Sequence, residues 1–399
     1  MLCHDSIRGS LTGFLLLAVT NLLTLPPLGL YIHIPWCIRK CPYCDFNSHV
    51  AKGELPERDY VNALLQDFET TLNAIQGRTL HSIFIGGGTP SLLSPCACER
   101  IFSGLRQHID FSNEIEITLE ANPGTFEQDK FTGFRQAGIN RLSIGIQSFQ
   151  DDKLNKLGRI HRGEEARRAV EMAFSVGFIN INLDLMHGLP GQGQDDALLD
   201  LKTAIAFRPS HLSWYQLTIE PNTIFYSRPP VLPKDEILWG IQEAGQALLV
   251  ESGYQQYEIS AYSQPGRQSR HNLNYWQFGD YIGIGAGAHS KLTLLEEGVI
   301  LRNWKTRLPE SYLNPVLPFV AGSRVLAEDD LPLEFMMNAL RLNQGVEACY
   351  FSQRTGLMLE QINNALQKAA RLGFITSGNN RMVPTRRGRL FLNDVLELF

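Results

Sequence analysis

The chain has 399 residues, enough for two to three domains and a large buried core, and its 44% hydrophobic and 19% charged content is ordinary for a globular protein. A formal net charge of −5, from 36 basic and 41 acidic residues, gives no global electrostatic attraction to nucleic acid. Seven cysteines in a chain this long do not make a disulfide scaffold.

Residues 11–25 (LTGFLLLAVTNLLTL), preceded by Arg8, resemble the core of a signal peptide. The run is too short, and too broken by Thr20 and Asn21, to span a bilayer, and no small-residue cleavage site follows. Residues 1–24 read as an N-terminal extension outside the fold and not as an address.

From Leu30 onward, strand-like runs alternate with helical stretches. The strands are LYIHI (30–34), SIFI (82–85), EIEITLEA (114–121), RLSIGI (141–146), INLDL (181–185) and HLSWYQL (211–217). Helices are expected over 58–75, 95–108, 127–137, 164–176 and 195–206. Strands separated by helices imply right-handed crossovers and a parallel sheet, and about six such units point to an open or partial α/β barrel.

Within the strands, apolar and polar residues alternate. Ile32 and Ile34 oppose Tyr31 and His33. Ile117 and Leu119 oppose Glu116, Thr118 and Glu120. Ile144 and Ile146 oppose Ser143, Gly145 and Gln147, and Leu183 and Leu185 oppose Asn182 and Asp184. In an antiparallel sheet the polar face would simply be wet. Under crossover helices the apolar set is covered, so the polar set lines the barrel interior near the C-terminal strand ends, where such barrels bind ligands.

Beyond Tyr215 a helix is expected from Lys234 to Glu251, then a Gly- and aromatic-rich region, 253–290. The last part reads as helix (332–341), helix (359–371), a short polar hairpin around Ser377–Asn380 and helix (386–398), an order that resembles a winged-helix module. Arg386, Arg387 and Arg389 read as a solvated face.

Cys37, Cys41 and Cys44 follow the first strand with three- and two-residue gaps. By spacing alone a zinc site with His33 or His49 as fourth ligand ranks first. The setting reverses that order, because one loop leaving a barrel strand lets three thiolates wrap one face of a cubane. Four irons and three thiolates leave one iron open. The remaining cysteines (Cys3, Cys96, Cys98, Cys349) show no ligand spacing and read as free thiols. GGGTPS (86–91) follows the second strand; it is neither a P-loop nor a dinucleotide fingerprint. Its glycines allow close approach of backbone to a ligand.

Taken together, YIHIPWC, CPYCDFNSH, FIGGGTPS, EANPGT, RLSIGIQSF, DLMHGLPGQ and GIGAGAHS resemble, in register, the oxygen-independent coproporphyrinogen III oxidase family of the radical S-adenosylmethionine superfamily. The resemblance implies a partial (β/α)6 barrel over 25–230, a barrel-completing and haem-motif region over 231–324, and a mainly helical, winged-helix-like module over 325–399. It implies a 4Fe-4S cluster on Cys37, Cys41 and Cys44, with S-adenosylmethionine on the open iron. Gly87, Gly88 and Thr89 would hold the methionyl end through backbone groups, and Tyr31, Glu120, Gln147, Arg159 and Asp184 would bind the same cofactor. Electron transfer into the sulfonium would give a 5′-deoxyadenosyl radical.

The dehydrogenases of the family carry a fourth cysteine where this chain has Phe46. HNLNYW (271–276) resembles the haem-binding HNxxYW signature of the family's haem-chaperone branch. By that resemblance His271 would ligate haem iron, and Tyr275 and Trp276 would stack on the macrocycle. The expected function is therefore a cytoplasmic haem chaperone with no assigned catalytic residue. Its expected partners are haem, apo-haemoprotein acceptors and, if radical chemistry occurs, an electron donor; transient membrane association is left open. The alternative is oxidative decarboxylation of coproporphyrinogen III. A radical enzyme acting on RNA lacks any basic surface signal.

Overall fold

Side chains that alternate along a strand must meet different surroundings on its two faces, and the first half of the chain is arranged around that requirement. The computed structural model describes residues 22–124, 130–376 and 380–399. Six strands pair in parallel and in chain order: β1 (Leu28–Ile34), β2 (Leu80–Gly87), β3 (Phe111–Ala121), β4 (Arg141–Gln147), β5 (Ile181–His187) and β6 (His211–Gln216). Helices Glu57–Glu69, Pro95–Leu105, Gly163–Ser175 and Gln194–Ala206 lie between them. The outward apolar set, including Leu30, Ile32, Ile85, Leu119, Ile144 and Leu183, is buried in one core with Tyr60, Leu64, Phe102 and Leu201 from those helices.

The sheet does not stop at six strands. Residues beyond 231 add β7 (Gln255–Glu258), β8 (Ala261–Ser263), β9 (Asp280–Ile284), β10 (His289–Leu294), β11 (Val299–Lys305) and β12 (Val320–Val325). β9 joins the outer edge of β1 in parallel, and the twelve strands run in the order β12-β11-β10-β9-β1-β2-β3-β4-β5-β6-β8-β7. The region 231–324 therefore shares one continuous sheet with the first six units.

A helix from this second region, Arg270–Trp276, packs against β1, β2 and β9. A Cβ on Gly29 would lie 3.1 Å from Ser82 Oγ and 3.4 Å from His271 Nδ1, so β1 meets this helix on its polar face. The helix start is fixed by a carboxylate. Glu116 Oε1 accepts from the backbone N–H of Arg270 (2.9 Å) and His271 (3.3 Å) and from Ser269 Oγ (3.4 Å). The inward polar face of the barrel is thus filled at one level and open at another.

Several expected boundaries shift. The predicted helix over 58–75 ends at Glu69 and is followed by a 3-10 turn at Leu72–Ala74. The predicted 127–137 helix is seen as Phe131–Ala137, with residues 125–129 outside those described. The short helix Asp151–Lys156 has no counterpart in the sequence reading. The C-terminal module holds helices Leu331–Ala339, Cys349–Thr355 and Asn363–Arg371, and a pairing of Val346–Glu347 with Arg381–Met382. The single terminal helix expected over 386–398 is two, Arg386–Leu390 and Leu392–Leu396, because Phe391 leaves helical geometry (φ −115°, ψ 42°). Residues 377–379 of the expected polar hairpin lie outside the described residues, as do residues 1–21 of the expected extension. Leu22 to Thr24 belong to the fold: Leu23 is buried in the C-terminal core, and Thr24 N–H donates to the Gln353 carbonyl at 2.7 Å. Among the described residues no helix is long and apolar enough to cross a membrane.

One buried ion pair ties the two regions together. Asp67, on helix Glu57–Glu69, pairs with Lys305 at the end of β11, and both side chains are wholly buried. Asp67 Oδ2 also accepts from Tyr312 OH at 2.7 Å and from the Gly285 N–H at 3.2 Å. Desolvation pushes the Asp67 carboxyl up, and Lys305 and these donors oppose it. Breaking a buried pair from one side costs about 3–5 kcal/mol. Lys305→Met is expected to lower unfolding stability by about that amount, read as a shift in the denaturant midpoint; an unchanged midpoint would show that the pair is not a brace.

Candidate functional site

The cysteine loop is shaped by contacts that do not involve its thiols. Trp36–Cys37 pairs in parallel with His49–Val50, so the loop leaves and returns at one place. Cys44 N–H donates to the Cys41 carbonyl at 3.1 Å, and Lys40 Nζ donates to the carbonyls of Phe46 (3.1 Å) and Ser48 (3.3 Å). Asn47 is the anchor: its Nδ2 donates to the carbonyls of Ala286 and Arg307, both at 2.9 Å, and its own carbonyl meets His33 Nε2 at 2.8 Å.

Cys37, Cys41 and Cys44 carry free thiols, and all three line a cavity of about 650 Å3. Burial pushes the Cys37 and Cys44 thiols up. Metal binding must therefore displace protons here. The donor set fits an iron–sulfur cluster better than the zinc alternative. Of the two histidines considered as a fourth zinc ligand, His33 has both ring nitrogens engaged, by Tyr31 OH (2.9 Å) and the Asn47 carbonyl, whereas the buried Nε2 of His49 has no hydrogen-bond partner among the described residues. Among the described residues, no three His, Cys, Asp or Glu side chains are arranged to hold a single ion. A cubane needs no such convergence, since each thiolate takes a different iron.

The same cavity is lined by Gly87, Gly88, Thr89, Glu120, Gln147, Arg159 and Asp184. Tyr31, the remaining residue expected with them, lines an adjoining chamber that shares Phe46, Gly87 and Glu120 with the first. Gly87 has φ +120°, and a Cβ on Gly88 would stand 2.4 Å from the Trp36 carbonyl oxygen. The backbone amides of the turn are spent internally: Gly87 N–H on Glu120 Oε2 (3.1 Å), Gly88 N–H on the Ile34 carbonyl and Thr89 N–H on the Trp36 carbonyl, both 2.7 Å. The expected backbone contact to a ligand therefore falls to carbonyl oxygens and bare Cα surface.

Glu120 and Asp184, both half-buried, line one cavity. Desolvation, with the nearby Asp184 charge, pushes Glu120 up to about 8. Asp184 is also raised by burial, against hydrogen bonds from Asn182 (2.8 Å) and Ser143 (3.0 Å). Gln147 sits in the left-handed region at φ +66°, and its Oε1 accepts from Tyr215 OH at 3.0 Å. Non-glycine residues in that region concentrate at ligand sites. Arg159 donates to Asn122 Oδ1 (2.6 Å) and the Gly145 carbonyl (2.9 Å), with its other terminal nitrogen 3.6 Å from Cys41 Sγ.

His271 is placed differently from the sequence expectation. It is 1% exposed and lies on neither cavity wall. Its Nδ1 meets Ser82 Oγ at 2.9 Å, its Nε2 meets Tyr275 OH at 3.0 Å, and its ring stacks on Phe84. Burial drives its imidazole down to about 3. In this arrangement neither nitrogen is presented to a ligand. Its neighbours are closer to the site: Asn272 and Trp276 line the cysteine cavity, and Tyr275 the adjoining chamber.

The sequence reading missed Asn47 and Asn122. Asn122 joins Thr89 Oγ1 (2.9 Å) to Arg159. Both lie inside recognised motifs, CDFNSH and EANPGT, which was the available signal.

Gly88→Ala puts a methyl against the Trp36 carbonyl, where neither backbone yields freely; such overpacking costs about 1–3 kcal/mol. The expected result is reduced iron incorporation at equal protein, measured as iron per chain after anaerobic reconstitution. Full loading would show that the close approach is not needed.

Known proteins resemble this chain over most of its length. The chain matches the Radical SAM superfamily over residues 31–204 and the HemN C-terminal domain over residues 326–391. It is 53% identical to the heme chaperone HemW of Escherichia coli (strain K12) over 375 residues, covering 94% of this chain and 98% of that protein. It is 33% identical to the heme chaperone HemW of Bacillus subtilis (strain 168) over 377 residues, covering 92% and 98%. Among solved structures, coproporphyrinogen III oxidase (HemN) from Escherichia coli, described as a radical SAM enzyme, superposes with a TM-score of 0.78 at 23% identity, covering 95% of this chain and 91% of that one. At that identity the likeness concerns the fold. The chain belongs to the HemW family of the radical S-adenosylmethionine superfamily.

Proposed function

We propose that this protein is a haem chaperone that binds haem and delivers it to apo-haemoproteins, carrying a 4Fe-4S cluster on Cys37, Cys41 and Cys44 and S-adenosylmethionine beside it. The observation that carries the cofactor assignment is convergence. The three thiols share one cavity wall with Gly87, Gly88, Thr89, Glu120, Gln147, Arg159 and Asp184, brought from four different strand ends and the segment after β4. The names of full-length relatives support haem as cargo. A cytoplasmic location suits reduced cluster thiols.

When bound, the cluster and S-adenosylmethionine supply one-electron reductive chemistry. The chain's own residues supply charge, orientation and exclusion of water. Glu120 and Asp184, desolvated and close, favour a cation, and an ammonium or sulfonium meets that need. Arg159 keeps positive charge beside Cys41. Tyr31, hydrogen-bonded to His33, lines the adjoining chamber. An electron donor enters only if radical chemistry is part of the cycle. The alternative, coproporphyrinogen oxidation, is disfavoured by Phe46, which is 58% exposed where the dehydrogenases carry a fourth cysteine.

Two experiments test this. At pH 7 a carboxyl with a value of about 8 is mostly protonated. A docking cation favours its ionised form, so binding of S-adenosylmethionine releases a proton, and Glu120's contribution to affinity grows as pH rises toward 8. The ligand's own amino group titrates nearby, so the difference between wild type and Glu120→Gln isolates the effect. Calorimetry in buffers of different ionisation enthalpy should show more proton release in wild type than in the variant, with affinity in the variant down ~10-fold or more. Equal proton release in both would remove the assigned role. Second, anaerobic cluster-loaded protein should bind haem stoichiometrically in an absorbance titration and turn over no coproporphyrinogen above a cluster-free control. Turnover without haem binding would assign the oxidase activity in place of haem delivery.

A further inference from the structure

Arg159 comes from the segment after β4, yet the group it reaches is Cys41 on the loop after β1, with 3.6 Å between Nη1 and Sγ. Asn122, the first residue beyond β3, holds it there. Its Oδ1 accepts from Arg159 Nη2 at 2.6 Å, and its Nδ2 donates to Thr89 Oγ1, in the turn after β2, at 2.9 Å. We propose that Asn122 is a positioning residue: by keeping Arg159 Nη1 on the Cys41 sulfur, it raises the reduction potential of the 4Fe-4S cluster. The inference rests on the cluster assignment above and goes beyond it by naming the residue that sets how readily the cluster accepts an electron.

A guanidinium is a rigid plane, so fixing one of its nitrogens at two points fixes the others. Arg159 Nη2 donates both to Asn122 Oδ1 and to the Gly145 carbonyl (2.9 Å). The plane lies against bare backbone, since a Cβ on Gly145 would stand 3.5 Å from Arg159 Nη2 and 3.6 Å from Asn122 Oδ1. Without Asn122, Nη2 keeps a single acceptor. The buried Nε has no hydrogen-bond partner among the described residues and offers no second attachment. Nη1 is then free to turn from the sulfur.

Asn122, Arg159, Cys41 and Thr89 line both the cysteine cavity and a smaller one of about 230 Å3, so they form the partition between the two. His161, on the smaller cavity, is pushed down to about 3 by burial and then by the Arg159 charge, and adds no cation at pH 7. Arg39 and Lys40 also line the cysteine cavity, but both are exposed, and water and salt screen them. Arg159 is the cation that donates to the Cys41 sulfur. One-electron reduction of a cluster adds negative charge that its thiolates share. A cationic N–H donor on a thiolate stabilises the reduced form more than the oxidised one, which raises the potential.

The test uses the full-length protein, cluster-loaded anaerobically and free of S-adenosylmethionine. It is titrated with dithionite in the presence of low-potential mediators, and the reduced cluster is followed by electron paramagnetic resonance. Asn122→Leu should weaken the reduction equilibrium about tenfold, which for a one-electron couple is about 59 mV. In an Arg159→Met background the same substitution should add no further shift, because Asn122 acts through the guanidinium. Asn122→Ser, with a shorter side chain, is the second variant where Asn122→Leu takes up little iron. Iron per chain and far-ultraviolet circular dichroism check loading and folding. An unchanged potential in a loaded Asn122 variant, or an equal shift with and without Arg159, overturns the assignment. So does failure of both Asn122 variants to load a cluster that Arg159→Met loads normally, which would make Asn122 a structural residue. Wild type that takes up no cluster overturns the cofactor reading instead.

Discussion

The inward polar face of the parallel sheet is the constraint on which the molecule is built. A buried carboxylate or amide must find partners or remain neutral, and the barrel meets this demand in two ways along the same strand. Glu116 and Glu120 lie four residues apart on one face of β3. Glu116 caps the helix Arg270–Trp276 and approaches Arg141 at 4.0 Å. Glu120 has one backbone donor and a neighbouring acid, and faces a cavity. The first carboxylate is satisfied by the chain, and the second is left facing the cavity.

That division explains why the HNLNYW segment sits where it does. Its helix supplies donors and ring nitrogens to polar groups that would otherwise be orphaned, including Ser82 through His271. Deeper along the barrel, His211 does the same for Asn182 (2.6 Å) and Tyr257 (2.8 Å). Both ring nitrogens of His271 and of His211 are engaged in this way. Among the described residues, His289 makes no such hydrogen bond and lines the adjoining chamber.

Desolvation sets the protonation of the ligand-free site. The thiols of Cys37 and Cys44, and the carboxyls of Glu120 and Asp184, are all pushed toward their neutral forms. Binding of iron by the thiols, or of a cation by the carboxyls, would reverse that bias and release protons. The loop that carries the thiols is held by Asn47, His33 and Lys40 through backbone carbonyls.

By itself the sequence determined the alternating strands, their parallel order and the residues on the inner face, because period two leaves no freedom about which side chains share a face. Tyr31, Glu120, Gln147 and Asp184 were legible that way, and Cys37, Cys41 and Cys44 from spacing. The tertiary structure alone decided which inner residues stay open, since that depends on where a helix from 270–276, far along the chain, comes to rest. It also decided that β9 extends the sheet beside β1, that the amides of the Gly87–Thr89 turn are spent, and that His271 is enclosed while His289 is not. Each of these turns on contacts between segments distant in sequence, where hydrogen-bond partners are assigned by packing and leave no local periodic trace.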